Sequence, residues 1–416
     1  MIQNKLFALP KKSILTLAIG GLSIGMTEFM MMGVLPDVAK SLSVSIPSAG
    51  HLISAYALGV VIGAPLTASI AGKYSSKKVL IWLMLIYGIF NALFASAPTY
   101  SLLMIARFFA GLPHGAFFGI GAVVASRLAA PGKEARAVSV MFAGLTIANV
   151  IGVPLGTYIG HNISWRISFY LTAAIAFIAA FAIKAWMPPL PAAAENNFKN
   201  SLKAFTKPEP WLIIAMASIG SGGLFAWISY IAPLMTEVAH FSVKALTLIM
   251  ITAGIGMTVG NAVGGRLADK FSPLQTTGVL LALMIVSLLI VSATAQYQAP
   301  AIIMTFITAA IAFALVAPMQ VLIIKAAAGS EMLASSSLQA SLNIGNALGA
   351  FLGGLPIAAG YGFVSSEYVG MGLVATGLLF CFILWRRQNK IKEAVAAPER
   401  HPYIKQLILQ ETSTIV

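Results

Sequence analysis

Two ionisable residues, Glu28 and Arg107, lie inside long runs of apolar residues. A charged group in such a run costs several kcal/mol in lipid unless it faces protein or water. Glu28 comes six residues before its run ends at Val34, and Arg107 comes six residues after its run starts at Ser101. Helices that cross in opposite directions would place both about 9 Å from the same side, at about 1.5 Å per residue. This pattern predicts that Glu28 takes up and releases a proton and that Arg107 tunes that equilibrium. The alternatives are a permanent pair, or an Arg107 bonded to backbone carbonyls as a scaffold.

Two further residues could handle protons near this pair. Asp37 follows Pro36 at the end of the first run, where it could relay protons or, as is commoner for a loop aspartate, cap a helix. His114 comes seven residues after Arg107, so it lies on the same helix face and about 10 Å deeper. An imidazole can change its charge near neutral pH. A buried neutral histidine bonded to a carbonyl is the interpretation we favour.

Aromatic and amide side chains in later runs could contact a substrate. Aromatic surfaces with a few amides suit a sugar or an amphiphilic drug, and packing between helices is an equally good explanation. The candidate substrate-binding residues are Trp227, Tyr230, Phe313, Gln320, Gln339 and Asn343.

The composition indicates what kind of molecule must position these residues. The chain has 416 residues, of which 59% are hydrophobic and 9% charged, with a mean hydropathy of +0.90, whereas soluble proteins carry about 25% charged residues. Twelve apolar runs, from Ser13–Val34 to Tyr368–Trp385, are long enough to cross a bilayer as helices. We therefore expect an all-α polytopic membrane protein, and we exclude a soluble enzyme, a disulfide scaffold and a β-barrel.

The motifs of enzymes and cofactor sites give no competing interpretation. Gly21-Leu22-Ser23-Ile24-Gly25 matches the G-x-S-x-G nucleophile pattern, but it lies inside an apolar run and not on a strand-to-helix turn. The chain has one cysteine and no Walker loop, dinucleotide fingerprint or H-E-x-x-H motif. We expect no enzyme activity, no cofactor and no metal.

The basic residues predict the orientation in the membrane. The formal net charge is +14, and 22 of the 26 Lys and Arg residues fall in the two termini and in alternate loops, all on one side. Basic residues concentrate on the cytoplasmic side of membrane proteins. The distribution predicts a multi-pass protein of the inner (cytoplasmic) membrane with both termini in the cytoplasm. Since this orientation explains the positive charge, we expect no nucleic-acid partner.

The sequence contains an internal repeat. A shift of 197 residues aligns Gly59 with Gly256, Gly63 with Gly260, Pro36 with Pro233, Asn149 with Asn346 and Gly152 with Gly349. One constant offset indicates a duplicated six-helix unit, a plan that suits alternating access to a central site. The predicted division is an N-terminal half over 1–187, a cytoplasmic linker over 188–210, a C-terminal half over 211–385 and a cytoplasmic tail over 386–416.

One run is rich in small residues that favour close helix packing. Gly152, Gly156 and Gly160 recur at every fourth position, and Pro154 removes a backbone hydrogen bond and can bend the helix. The predicted packing residues are Asn149, Gly152, Pro154, Gly156 and Gly160, with Asn346 and Gly349 in the second half.

The loop Gly265-Arg266-Leu267-Ala268-Asp269-Lys270 resembles the G-x-L-A-D-[RK] loop of the major facilitator superfamily. In that family the loop latches neighbouring cytoplasmic helix ends. The first copy has Gly72 where the acid is usual. The resemblance implies a conformational latch formed by Gly265, Asp269 and Lys270 and, in the first copy, by Lys73, Lys77 and Lys78.

Three further strings, residues 27–37, 45–59 and 113–119, are similar to the arabinose-efflux-permease-like bacterial branch of the drug:proton antiporter group in that superfamily. Residues 144–160 resemble the group's fifth-helix antiporter motif. The resemblance implies a twelve-helix monomer that exports a small molecule, such as a sugar or drug, in exchange for protons. The alternatives are a facilitator or proton symporter that imports a solute and, more remotely, a receptor or enzyme without transport activity.

Overall fold

The computed structural model describes residues 12–71, 74–129, 134–190, 203–327 and 331–396. Within these ranges the chain consists of helices joined by short loops and contains no β-strand. The prediction of an all-α protein is therefore confirmed. About half of the predicted linker over 188–210, residues 191–202, lies outside the described ranges, and the exact division into halves stays a prediction.

The first half of the bundle is helical over most of its length. Two short π-helical turns, Ala148–Gly152 and Gly160–Ser164, interrupt its fifth crossing. Its helices are α1 (Lys12–Gly33), α2 (Leu35–Leu42), α3 (Ile46–Ala71), α4 (Ser76–Ser96), α5 (Tyr100–Leu128), α6 (Glu134–Ile147), α7 (Val153–Ile159) and α8 (Trp165–Trp186).

The second half repeats this plan, with breaks in its first crossing. A π-helical turn spans Leu234–Val238, and 3₁₀ turns span Lys203–Thr206 and Val243–Ala245. Its helices are α9 (Pro208–Gly220), α10 (Gly222–Ile228), α11 (Ile231–Pro233), α12 (Leu246–Lys270), α13 (Pro273–Thr294), α14 (Gln298–Ala314), α15 (Val316–Ala326), α16 (Glu331–Ala358) and α17 (Ser365–Ala396).

Ten helical segments of the described chain are long and apolar enough to cross a membrane. One of them, Val140–Trp186, is 47 residues long and contains two crossings, because a π-helical turn joins α7 to α8 without a loop. The 28-residue α16 is not among the ten, since its serine and amide side chains lower its hydropathy. With these two additions the protein has the twelve membrane-crossing helices that the sequence predicts.

Two seams join the halves. We call the end of the bundle that contains Gly33 and Ile46 the outer end, following the orientation predicted from charge. Along the first seam α3 packs against α16, and Ser54 Oγ donates a hydrogen bond of 3.1 Å to the Ala347 carbonyl. Along the second seam α12 packs against α7 and the adjacent π turn. There a Cβ atom on Gly254 would collide with the carbonyl oxygen of Asn149, so glycine allows the backbones to meet.

The glycines of the fifth crossing face α1. Pro154 lies in the first turn of α7, directly after the π-helical turn, where the missing N–H of proline leaves one fewer bond to satisfy. The four-residue spacing of the glycines matches that of the side chains they meet. Cβ atoms on Gly152, Gly156 and Gly160 would collide with Met26, Met30 and Val34 in turn.

The described residues of the predicted latch lie at the inner end of the bundle. Lys77 Nζ donates a hydrogen bond to the carbonyl of Met187 just after α8, and Lys78 is exposed. Gly265 faces open space, and the Lys270 ammonium lies 5.5 Å from the centre of the Phe271 ring. Lys73 and the side chain of Asp269 lie outside the part that the structure describes. The first copy therefore holds a helix C-terminus through a lysine, as expected for a cation near unpaired carbonyls.

Candidate functional site between the two halves

Glu28 lies on α1 where the two halves meet. Its side chain is half-buried, and its Oε1 atom accepts a long hydrogen bond of 3.4 Å from Asn346 Nδ2 of α16. The acid and the amide come from opposite halves, 318 residues apart in sequence. Asn346 thus joins helices, as its repeat position indicates, but its partner is the ionisable residue itself.

An aromatic cluster adjoins this contact. Phe29 stacks on Phe225 with ring centres 6.4 Å apart, and its ring lies 5.9 Å from that of Phe313. Phe225 belongs to α10 and Phe313 to α14, so both contacts cross between the halves. Sequence reasoning named Phe313 but missed Phe29 and Phe225, because single aromatic residues in apolar runs do not differ from core residues.

Arg107 lies inside the first half. Its side chain is fully buried, its Nε donates a 3.3 Å hydrogen bond to the Leu52 carbonyl, and its guanidinium lies 4.3 Å from the centre of the Tyr56 ring. Phe94 and Phe169 approach it at 5.4 and 5.8 Å. This geometry is that of the scaffold alternative, in which the arginine bonds to a backbone carbonyl and stacks on aromatic rings.

Arg107 and Glu28 are close without forming a pair. Their charges interact electrostatically, but no Glu28–Arg107 contact within 4.0 Å is among the ion pairs of the described chain. Arg107 therefore acts on Glu28 through its positive charge and not through a direct contact. Its Nη1 and Nη2 atoms are buried hydrogen-bond donors with no acceptor in the described chain.

A chain of hydrogen bonds extends from His114 towards α1. Tyr56 OH lies 3.1 Å from His114 Nδ1 and 3.4 Å from Tyr87 OH. Tyr87 OH in turn donates to the carbonyl of Ser23 at 3.4 Å, five residues before Glu28. His114 thus bonds to a tyrosine and not to the carbonyl that we favoured, and the chain links three neighbouring helices to the α1 backbone.

Asp37 contacts a histidine at the outer end. Its Oδ2 atom lies 2.6 Å from Nδ1 of His161, which follows α7 in a π-helical turn. The N-cap of α2 is Val34, and no side chain caps that helix. Asp37 therefore ties the end of the first crossing to the end of the fifth, a partner that the capping interpretation did not include.

The other predicted substrate residues are mostly engaged in packing. Trp227 and Tyr230 are fully buried, and Tyr230 OH donates a 2.6 Å hydrogen bond to the Ala350 carbonyl. Asn343 donates to the carbonyl of Gln339 in its own helix at 3.0 Å. Gln320 Nε2 donates to Ser335 Oγ at 2.6 Å, which links α15 to α16. Among these candidates, Phe313 touches the cluster beside Glu28.

Glu367 is a buried acid that sequence reasoning missed. It is fully buried in the first turn of α17, and neither carboxyl oxygen has a hydrogen-bond partner among the described residues. The last apolar run begins one residue later, at Tyr368, so the sequence places Glu367 in a loop. The helix in fact starts at Ser365 and carries the acid inside the second half.

Known proteins resemble most of the chain. It is 39% identical over 389 residues to AraJ of Escherichia coli (strain K12), covering 93% of this chain and 99% of AraJ. It is 38% identical over 375 residues to the inner membrane transport protein YdhP of the same strain, covering 90% and 96%. A chloramphenicol resistance protein of Streptomyces lividans is 29% identical over 370 residues, covering 88% and 94%.

Solved structures share the fold at low sequence identity. A bacterial homolog of the human lysosomal transporter Spinster, in an inward-facing and unoccupied conformation, has a TM-score of 0.70 at 16% identity and covers 91% of this chain and 98% of its own. A D-xylose-proton symporter has a TM-score of 0.70 at 16% identity, with coverage of 90% and 97%.

The family follows from these observations together. Twelve membrane-crossing helices in two similar halves meet around Glu28, and residues 17–332 match the Major Facilitator Superfamily. The chain belongs to the Major Facilitator Superfamily and is a membrane transporter, not an enzyme.

Proposed function

We propose that this transporter exports a small molecule across the inner membrane in exchange for protons, acting as a monomer by alternating access. The observation that carries the proposal is the position of Glu28. It is an ionisable group on α1 that contacts Asn346 of the opposite half beside the Phe29 cluster. Any movement that separates the halves must change this contact.

The chemistry of coupling follows from the two states of the carboxyl group. A deprotonated Glu28 accepts the Asn346 hydrogen bond and keeps a negative charge near Arg107, whereas a protonated Glu28 has lost that charge. The two states therefore favour different arrangements of the halves. Proton entry from one side and release to the other can then drive the cycle in one direction.

Contacts between the halves lie on the outer side and at the level of Glu28. Tyr230 of the second half packs its hydroxyl against Gly50 of α3, and Ser54 of α3 bonds to Ala347 of α16, next to Asn346. A bundle held together at this level favours access to Glu28 from the inner end. A cytoplasmic substrate could enter from the inner end, which is the direction that export requires.

The aromatic cluster supports a cargo with an apolar or aromatic face. Phe29 and Phe225 are buried against each other, whereas Phe313 is partly exposed and offers a ring face to a cargo. Rings of this kind bind flat apolar groups or the apolar face of a sugar. The name of the Streptomyces lividans relative makes chloramphenicol a reasonable first compound to test.

The proposal is tested by reconstitution into proteoliposomes that contain a pH-sensitive dye. Chloramphenicol, a panel of sugars and a panel of cationic drugs would be applied to wild type, Glu28→Gln and Glu237→Gln. Glu237 is exposed near the outer end, so its variant makes the same chemical change away from the seam. We expect a compound in the panel to move protons in wild type and Glu237→Gln, with loss of proton movement in Glu28→Gln. Full proton-driven accumulation by Glu28→Gln would overturn the role of Glu28, and proton and cargo movement in the same direction would overturn antiport.

A further inference from the structure

A groove separates the start of α13 from the end of α17 on the outside of the bundle. Its volume is about 160 Å³. The walls are formed by Leu274, Gln275 and Gly278 of α13 and by Cys381, Phe382 and Trp385 of α17. Both helix segments belong to the inner end, so the groove lies at the depth of the inner leaflet in the predicted orientation.

The groove is apolar and faces the surrounding lipid. Phe382 and Trp385 are 44% and 42% exposed, and their rings stack with centres 5.8 Å apart. Cys381 donates its thiol to the carbonyl of Leu274 at 3.6 Å, which leaves no strong polar group on the floor. A hydrocarbon chain is therefore the chemistry that the walls accept.

The cationic side chain of Arg386 lies at the inner end of the groove. The Arg386 guanidinium lies 4.6 Å from the centre of the Phe382 ring, so its position is tied to a wall of the groove. None of the ion pairs in the described part of the chain includes Arg386. Its neighbour Arg387 differs, because it pairs with Glu209 at 2.5 Å. Lys390, one helical turn further, is also exposed.

We propose that this groove binds one anionic phospholipid. An acyl chain lies between α13 and α17, and the headgroup phosphate accepts hydrogen bonds from Arg386 and from the amide of Gln275. Lys390 adds a second positive charge, which favours an anionic headgroup over a zwitterionic one. Basic residues beside the cytoplasmic ends of membrane helices attract anionic lipid in this way, and Trp385 lies at the depth where tryptophan meets headgroups.

The charge requirement is tested by native mass spectrometry of the full-length protein in detergent. Phosphatidylglycerol and phosphatidylcholine of the same acyl composition would be titrated separately. We expect one phosphatidylglycerol to bind to wild type, and Arg386→Gln to bind it about fivefold more weakly. Lys184→Gln is the matched control, since Lys184 is exposed at the inner end of α8 beside Trp186 but outside the groove.

The apolar requirement is tested by filling the groove. A Cβ atom on Gly278 would lie 3.4 Å from Cys381 Sγ, so the side chain of Gly278→Leu would enter the space of the acyl chain. Gly372 of α17 has nothing within 4 Å of such an atom, which makes Gly372→Leu the control. We expect the first variant to lose the bound lipid and the second to keep it, both with wild-type elution volume in size-exclusion chromatography.

Three outcomes would overturn the proposal. These are equal binding of both lipids, unchanged binding in Arg386→Gln and Gly278→Leu, or a protein dimer that forms through this face without lipid. The lipid titration uses no transported compound, so its result does not depend on whether the export proposal holds.

Discussion

Equivalent positions in the two halves carry different chemistry. The 197-residue repeat aligns Glu28 with Phe225 and Tyr56 with Ala253. In the first half these positions hold the ionisable acid and the ring beneath the arginine. In the second half both are apolar and buried, at 6% and 1% exposure.

The fourth crossing shows the same difference. The repeat aligns Arg107 with Met304, and the helix starts at 100 and 298 would align it with Thr305. Met304 is a core residue, and Thr305 satisfies its hydroxyl by donating to Ala301 in its own helix. Neither position carries a charge.

The packing glycines are duplicated in both halves. Cβ atoms on Gly59 and on its counterpart Gly256 would meet the carbonyl oxygens of Phe108 and Phe306 in the neighbouring helix. A close backbone approach is needed twice because the same fold is built twice. The difference teaches that the glycines present in both copies hold the scaffold, and that Glu28 and Arg107, found in one copy, are available for coupling.

The largest effect is expected from Arg107→Met, which copies the second half. Methionine removes the charge that acts on Glu28 and the hydrogen bond to the Leu52 carbonyl. Charges several ångströms apart at an effective dielectric of about 20 interact by about 2 kcal/mol, so the transport rate should fall about thirtyfold. Rates in proteoliposomes measure this effect, with Met304→Leu as the control in the other half.

Arg107→Lys separates the two roles of the arginine. Lysine keeps the charge but cannot reproduce the planar stacking on Tyr56 or the bond from Nε. If the charge is what matters, Arg107→Lys should keep at least about a third of the wild-type rate. A loss as large as that of Arg107→Met would mean that Arg107 is a scaffold only and that the comparison of charges says little about coupling.

The next largest effect is expected at the seam between α7 and α12. Gly254→Val would push a branched side chain against the Asn149 carbonyl, an overpacking that costs about 1–3 kcal/mol. We expect transport to fall about tenfold while membrane insertion remains normal. The repeat aligns Gly254 with Ala57, so this backbone contact belongs to one seam only. Ala262→Val, on an exposed part of α12, adds a branched side chain away from the seam and should keep the rate. Normal transport by Gly254→Val would show that this seam is not tight during the cycle.

The fold could be predicted from the sequence because its determinants are local. Apolar runs, charge distribution and the repeat each depend on residues close in sequence or at a fixed offset. The glycine spacing at 152, 156 and 160 also predicted a face for packing, and the structure places α1 against it. Membrane insertion restricts the rest, since each run must cross as a helix.

The partners in the site could not be predicted in the same way. Equal depth in the membrane predicted that Glu28 and Arg107 interact, but the rotation of each helix about its own axis decides which neighbour a side chain contacts. Glu28 turns towards Asn346, and Arg107 turns towards Tyr56. Glu367 was missed for a simpler reason, since α17 begins earlier than its apolar run.

A smaller effect is expected from Ser54→Ala at the first seam. The variant loses the 3.1 Å hydrogen bond that Ser54 Oγ donates to the Ala347 carbonyl of the other half. One such bond contributes about 1 kcal/mol, so the outward-open population should rise about fivefold.

Spin labels at the outer ends of the two halves measure this population. Cysteines at Ser43 and Tyr361, in a Cys381→Ser background, would report the distance by electron paramagnetic resonance. Ser272→Ala, which removes an exposed hydroxyl away from the seam, is the matched control. An unchanged distance distribution in Ser54→Ala would exclude this bond as a contact that closes the outer side.

The smallest effect is expected from Glu367→Gln, although it changes a fully buried acid. No hydrogen bond to either oxygen of Glu367 is found within the described part of the chain, and glutamine keeps the shape of the acid without the charge that burial disfavours. We expect transport within about twofold of wild type and a thermal midpoint that does not fall, both measured beside Glu28→Gln. A loss of more than tenfold in Glu367→Gln, with the protein still folded, would place a coupling acid in the second half. Proton coupling would then no longer be confined to the first half. Glu367 would have to be tested as a second proton-binding residue.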